Sequence, residues 1–161
     1  MRTRLVRSLL VFIGLAGLAC GSTPAGPLPT AAITVRVPAS IAARVCTRCG
    51  NLVGELEVAL DVVIEETAGV GGRLVSVTNF ILAGSGGTIE GPGNYDAAGL
   101  ALWGVTSLRI NAGGTLTITQ IGIHFAPSER ARLPGTLSFT VNFVDDNGHT
   151  ITRDVVIQVT P

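Results

Sequence analysis

The stretch "TLSFTVNFVDDNGHTITRDVVIQV", residues 136–159, decides the fold class, because its apolar side chains recur at about every second position. The apolar positions are Leu137, Phe139, Val141 and Phe143 in the first half, and Ile151, Val155, Ile157 and Val159 in the second. A period of two is typical of a β-strand with one buried face. The polar run between the two halves therefore predicts a β-hairpin.

The register of this hairpin follows from the apolar faces. The eight residues of these apolar faces are all odd-numbered and must lie on the same side of the sheet, so we expect Phe143 to pair with Ile151. The loop would then consist of Asp146, Asn147 and Gly148, with Gly148 in the left-handed conformation. Asp145 and His149 would form a cross-strand pair at the rim, worth at most about 1 kcal/mol.

The same tip also has the side chains of a small metal site, with two carboxylates, an amide and a histidine close together. Calcium needs about six or more oxygen ligands, whereas this tip offers about three. We therefore predict a hairpin tip that binds no metal.

The period-two pattern recurs upstream in "GELEVALDVVIEE", residues 54–66. Glu65 and Glu66 point to opposite faces at the end of this segment, which predicts a solvated strand end rather than a shared acid–base site. Weaker strand signals lie at 33–37, 74–82, 107–110 and 115–125, and short helical turns are possible at 39–44 and 96–103. About seven short strands separated by glycine-rich turns predict an all-β, antiparallel β-sandwich.

The N-terminal "MRTRLVRSLLVFIGLAGLACGS" has three arginines ahead of an uncharged run at 8–19. This is the form of a secretory signal, and the run is shorter than the roughly 20 residues that cross a bilayer. Cys20 ends the run, so the segment resembles a bacterial lipoprotein signal, in which that cysteine is acylated. The residues before Cys20 are shifted relative to the lipoprotein pattern, so ordinary signal cleavage there is the alternative.

The following "GSTPAGPLPT", residues 21–30, has the composition of a flexible linker that spans at most about 35 Å. We expect a signal peptide at 1–19, a lipidated cysteine and linker at 20–30, and one domain at 31–161. The chain has 11 basic and 11 acidic residues, and three arginines leave with the signal, so the mature charge is 8 minus 11, or −3. This charge argues against nucleic-acid binding.

Over 31–161, the strand number, the alternation and the closing hairpin resemble an immunoglobulin-like or fibronectin-type-III-like domain of bacterial envelope lipoproteins. The two core cysteines of true immunoglobulin domains are missing, because Cys46 and Cys49 are too close in sequence to bridge two sheets. The resemblance implies a sandwich architecture and a role in adhesion or assembly, while the partner stays open.

The sequence "VCTRCG" places Cys46 and Cys49 in a C-x-x-C arrangement. Flanking arginines favour thiol–disulfide exchange, but Gly50 breaks the helix that oxidoreductases place there. In an oxidising compartment a local structural disulfide between the two cysteines is favoured. No second pair of cysteines or histidines completes a tetrahedral zinc site, so we predict no metal and no cofactor.

Other chemistry-bearing residues give weaker signals. Nothing in the sequence places His124 or His149 beside a serine and an acid, so no catalytic residues are predicted. Trp103 and Tyr95 form the most concentrated aromatic region, and such rings can stack on sugars or anchor a protein partner. A core role for Trp103 is the alternative.

These patterns together predict an exported, non-enzymatic β-sandwich that is lipid-anchored to the membrane and faces the periplasm or the cell exterior. It would serve as a structural or recognition module for an envelope protein or a glycan. The alternative is a small periplasmic redox protein or hydrolase that uses Cys46 and Cys49, or His124.

Overall fold

The computed structural model describes residues 26–47, 54–91 and 95–161. The elements in these ranges are β1 (Ile33–Arg36), β2 (Ser40–Ala42), β3 (Arg44–Val45), β4 (Leu56–Glu66), β5 (Gly72–Gly84), β6 (Gly87–Glu90), α1 (Ala97–Leu102), β7 (Arg109–Ile110), β8 (Thr115–Phe125), a 3-10 helix (Pro127–Arg132), β9 (Gly135–Asp145) and β10 (Thr150–Thr160). Within the described ranges, no helix has the length and apolar character needed to span a membrane.

The strands form two sheets. In the first, β4 pairs antiparallel with β1 and β3 along one edge and with β8 along the other. The second has the order β2-β10-β9-β5-β6, with β7 added to β5 and with β2 parallel to β10. These neighbours match strands A, B and E in one sheet and G, F, C and C′ in the other sheet of an immunoglobulin domain. The domain is therefore an immunoglobulin-like β-sandwich, as the sequence predicts.

The core lies between the sheets and follows the period-two faces. The buried apolar residues that β4 and β9 contribute to the core are Leu56, Val58, Leu60, Val62, Ile64, Leu137, Phe139, Val141 and Phe143. A bulge interrupts the pairing of β4 with β8, where Gln120 has a φ of 57° and its N–H donates to Asp61 Oδ1 at 3.0 Å. The buried positions of β8 change there from Ile118 to Ile121, Ile123 and Phe125, as expected when a bulge inserts a residue.

The register of the closing hairpin is confirmed. Phe143 pairs with Ile151, the N–H of Gly148 donates to the Asp145 carbonyl at 3.0 Å, and Gly148 has a φ of 86°. Asp146 lies in the loop and forms a partly exposed ion pair with Arg109.

The expected pair of Asp145 with His149 is present, but the expectation that Asp145 is a rim residue is wrong, because Asp145 is buried. Its side chain is 0% exposed and accepts hydrogen bonds from the backbone N–H groups of Ala31 at 3.0 Å, Asn147 at 2.9 Å and His149 at 2.8 Å. His149 Nδ1 also lies 2.9 Å from Asp145 Oδ2. Burial by itself would raise the pKa of Asp145, but the hydrogen bonds outweigh it and lower the pKa to about 2.

Glu66 also departs from the expected solvated strand end, since it is only 2% exposed. Its carboxylate accepts hydrogen bonds from the backbone N–H groups of Ala32 at 3.3 Å, Ala68 at 2.7 Å, Gly69 at 3.0 Å and Gly113 at 2.8 Å. Burial would raise the pKa of Glu66, but these hydrogen bonds hold it below its ordinary value. The carboxylate joins three separate chain segments at one end of the sandwich.

Two local expectations have different outcomes. The segment 39–44 is not a helical turn but contains β2 and the start of β3, because it crosses from the second sheet to the first as an edge segment. The expected helical turn at 96–103 is confirmed by α1, which begins after Asp96, whose side chain accepts from the Gly99 N–H at 2.9 Å.

Candidate functional site

A surface pocket of about 670 Å³ lies at one end of the first sheet, and we call it the distal pocket. Its lining residues are Arg44, Thr47, Glu57, Leu102, Trp103, Gln120 and His124. The pocket thus combines two large apolar side chains with a set of polar and charged groups.

Strand pairing places the polar groups next to one another. Arg44 of β3 pairs with Glu57 of β4, and Glu57 pairs with His124 of β8, so the three residues form a row across three adjacent strands. The alternating neighbours of Glu57 on β4, Leu56 and Val58, point into the core. The row therefore lies on the outer face of the sheet.

A hydrogen-bonded network fixes this row. Arg44 Nε donates to Glu57 Oε1 at 2.8 Å, and Arg44 Nη2 donates to the side-chain oxygen of Gln120. Glu57 Oε2 faces His124 Nε2 at 3.7 Å. Glu57 is only 6% exposed although it lies on the outer face, so its carboxylate is covered by its own partners and held in one orientation.

The apolar side of the pocket comes from the end of α1. Leu100 anchors this helix in the core, while Leu102 is 89% exposed and Trp103 is partly buried. The Trp103 ring packs edge-on against Tyr95, with ring centroids 6.0 Å apart. Trp103 therefore packs against the core and also lines the pocket, and its role in binding stays a prediction.

Tyr95 does not offer an aromatic binding surface, and this part of the sequence prediction needs correction. The residue is buried, its ring packs edge-on against Phe80, and its hydroxyl donates to the Gly122 carbonyl at 2.9 Å. Burial raises the pKa of the Tyr95 phenol. The Tyr95 ring therefore packs against Phe80 and Trp103, and its hydroxyl is hydrogen-bonded to β8. Neither group is available to a ligand.

Cys46 lies beside the same pocket. It is disulfide-bonded, and its ligand atom lies within 4.8 Å of ligand atoms of Glu57 and His124. Cys20 and Cys49 lie outside the described residues, so lipidation of Cys20 and the pairing of Cys46 with Cys49 stay predictions.

Sequence patterns alone did not bring Cys46, Glu57 and His124 together, because the three belong to different strands or flanking segments. One feature of the sequence does indicate the position of Gln120. The apolar residues of this strand change from even-numbered positions, up to Ile118, to odd-numbered positions from Ile121, which indicates a bulge at Gln120.

The hairpin tip lies at the opposite end of the sandwich and is hydrogen-bonded to residues near the start of the described chain. The Asn147 side chain donates to the Pro29 carbonyl at 2.7 Å, and Ala31 donates to Asp145 at 3.0 Å. Glu66, near this N-terminal segment, lies nine positions after Glu57 of the pocket along β4, a distance of about 30 Å. The distal pocket and the N-terminal segment therefore lie at opposite ends of the domain.

Comparisons with known proteins add little. No protein-family model matches the chain, and no curated protein is similar to it. Among solved structures the chain is similar to murine CRIg, with 15% identity, a TM-score of 0.38 and coverage of 80% of this chain and 97% of that one. A similarity this weak carries no argument about function, and the fold assignment rests on the order of the strands.

Proposed function

We propose that the protein is an exported, lipid-anchored, non-enzymatic recognition module of the cell envelope, and that it binds its partner in the distal pocket. The observation that carries this proposal is the placement of the pocket at the end of the sandwich opposite the N-terminal segment. A domain tethered through Cys20 would point this pocket away from the membrane, toward a partner in the envelope.

The tether would join a fixed point of the domain. Pro29 and Ala31 are hydrogen-bonded to Asn147 and Asp145 of the hairpin tip, so the linker enters the sandwich at a defined place. Residues 21–28 would then provide the free length, at most about 28 Å when fully extended. The roughly 30 Å between Glu57 and Glu66 along β4 then separates the pocket from the hairpin end.

The composition of the pocket favours an uncharged, hydroxyl-rich ligand such as an envelope glycan. Its volume of about 670 Å³ lies within the range of small-molecule sites, about 300–1,000 Å³. Arg44 and Glu57 neutralise each other, so the site does not favour a strongly charged ligand. The Trp103 ring and the exposed Leu102 offer apolar contact, while Arg44, Glu57 and Gln120 offer planar hydrogen-bonding groups.

We expect Cys20→Ala to move the protein from the membrane fraction to the soluble fraction after export, because the substitution removes the acylation site. Fractionation with palmitate labelling measures this. The tethered function is refuted if the wild-type protein carries no label and is already soluble.

We expect Leu102→Asp to reduce capture of glycan fragments from the producing cell's own envelope by about tenfold or more, because it places a charge at the apolar rim of the pocket. The measurement compares retention on immobilised mature protein. Val156→Asp is the matched control, since Val156 is also exposed, at 66%, but lies on β10 in the other sheet. Equal retention by both variants would argue against the pocket, and retention of a protein instead of a glycan would change the ligand class.

The alternative of a redox protein or hydrolase rests on the proximity of Cys46 to His124. A thiol titration of the folded protein distinguishes the two functions. A disulfide that is reduced slowly supports the recognition module, whereas a rapidly exchanging thiol supports the redox protein.

A further inference from the structure

We propose that the distal pocket becomes a zinc site when the disulfide of Cys46 is reduced, with Cys46, Glu57 and His124 as protein ligands. This inference concerns the pocket described above but does not depend on the proposed recognition function. It assigns a second state to the site rather than a second site.

The geometry supports a common metal ion. The ligand atoms of the three residues all lie within 4.8 Å of one another, and His124 Nε2 is 3.7 Å from Glu57 Oε2. Zinc bonds of about 2.0–2.3 Å place tetrahedral ligand atoms roughly 3–4 Å apart. Small side-chain rotations therefore bring the three atoms to a shared ion, and water completes the fourth position.

The neighbours of Glu57 orient its carboxylate so that one oxygen can bind a metal ion. Arg44 Nε holds Oε1 at 2.8 Å, which leaves Oε2 on the side of His124. Such a contact from a neighbouring residue orients a ligand and is a common feature of metal sites. The Cys46 thiolate and the Glu57 carboxylate would together neutralise the two charges of zinc, so that the nearby Arg44 guanidinium does not exclude the ion.

The oxidation state of Cys46 decides whether the site exists. In the disulfide the sulfur is bonded to another sulfur, and only Glu57 and His124 remain, too few protein ligands for a typical zinc site. A dithiol reductant supplies two electrons and two protons, which break the sulfur–sulfur bond and give two thiols, while the reductant closes to its own disulfide. Zinc then replaces the proton of the Cys46 thiol, and that proton passes to solvent.

The test uses mature protein reduced with a dithiol, freed of the reductant by gel filtration without air, and titrated with zinc against a chromophoric chelator. We expect the reduced protein to bind one zinc ion at this site and the oxidised protein to bind at least about tenfold more weakly. Cobalt in place of zinc should give a thiolate charge-transfer band that Cys46→Ser abolishes.

Variants distinguish this site from binding by thiols alone. His124→Ala should weaken zinc binding by at least about tenfold, whereas His149→Gln, at the opposite end of the sandwich, should leave it unchanged. Unchanged affinity in His124→Ala, or equal affinity in the oxidised and reduced protein, overturns the proposal.

If reduction unfolds the domain, zinc should restore its β-sheet circular dichroism, and the absence of any recovery also overturns the proposal. Glycan capture is measured on oxidised protein, so either proposal can fail without the other.

Discussion

Replacing Asp145 by asparagine is expected to lower the melting temperature by on the order of 10 °C, because the side chain loses its charge and one of the two oxygens that accept buried hydrogen bonds. An amide NH₂ in place of one carboxylate oxygen would face the backbone N–H groups of Ala31 or His149, which need an acceptor. Thermal unfolding followed by circular dichroism measures the change. Asp154→Asn is the matched control, because Asp154 lies on the adjacent strand β10 but is exposed, with one hydrogen bond from Thr140.

The effect of Asp145→Asn should depend on pH. The folded-state pKa of Asp145 is about 2, below its ordinary value of 3.8, so the carboxylate is stabilised by folding. This stabilisation is fully present above about pH 4 and is lost as the pH falls toward 2. The difference in melting temperature between wild type and variant should therefore shrink over this interval. A difference that stays constant from pH 6 to pH 2 would contradict the structural role of the charge.

Replacing Glu66 by alanine is expected to lower the free energy of unfolding by about 3 kcal/mol or more, because the buried N–H groups of three segments lose their acceptor. These donors lie next to β1, in the turn after β4 and in the turn before β8. Equilibrium unfolding in urea measures the loss.

The adjacent carboxylate is the control for this prediction. Glu65 faces the other side of the strand and forms an ion pair with Arg36, whose side chain is 62% exposed, so Glu65→Ala should cost at most about 1 kcal/mol. The structural role of Glu66 is contradicted if the two variants lose the same stability.

Local patterns were sufficient for the long strands and for the closing hairpin, but not for the short edge strand β2, where they predict a helical turn. The alternation from Leu137 to Phe143 and the position of Gly148 depend only on the period of a strand and on the backbone angles of a tight turn. The same local information could not predict Asp145 and Glu66 as buried residues, because a carboxylate on a strand end is usually solvated. Their burial depends on backbone donors that other segments bring to them.

The amino-acid sequence by itself determined where the long strands lie, which faces of β4, β9 and β10 are buried and how the last two strands pair, because these properties repeat every second residue along the chain. Only the tertiary structure decided that Arg44, Glu57 and His124 form a row, and that Trp103 lies beside them while Tyr95 is buried. The physical reason is that the row depends on which strands become neighbours. Period-two alternation specifies the faces of a strand but not its neighbours in the sheet.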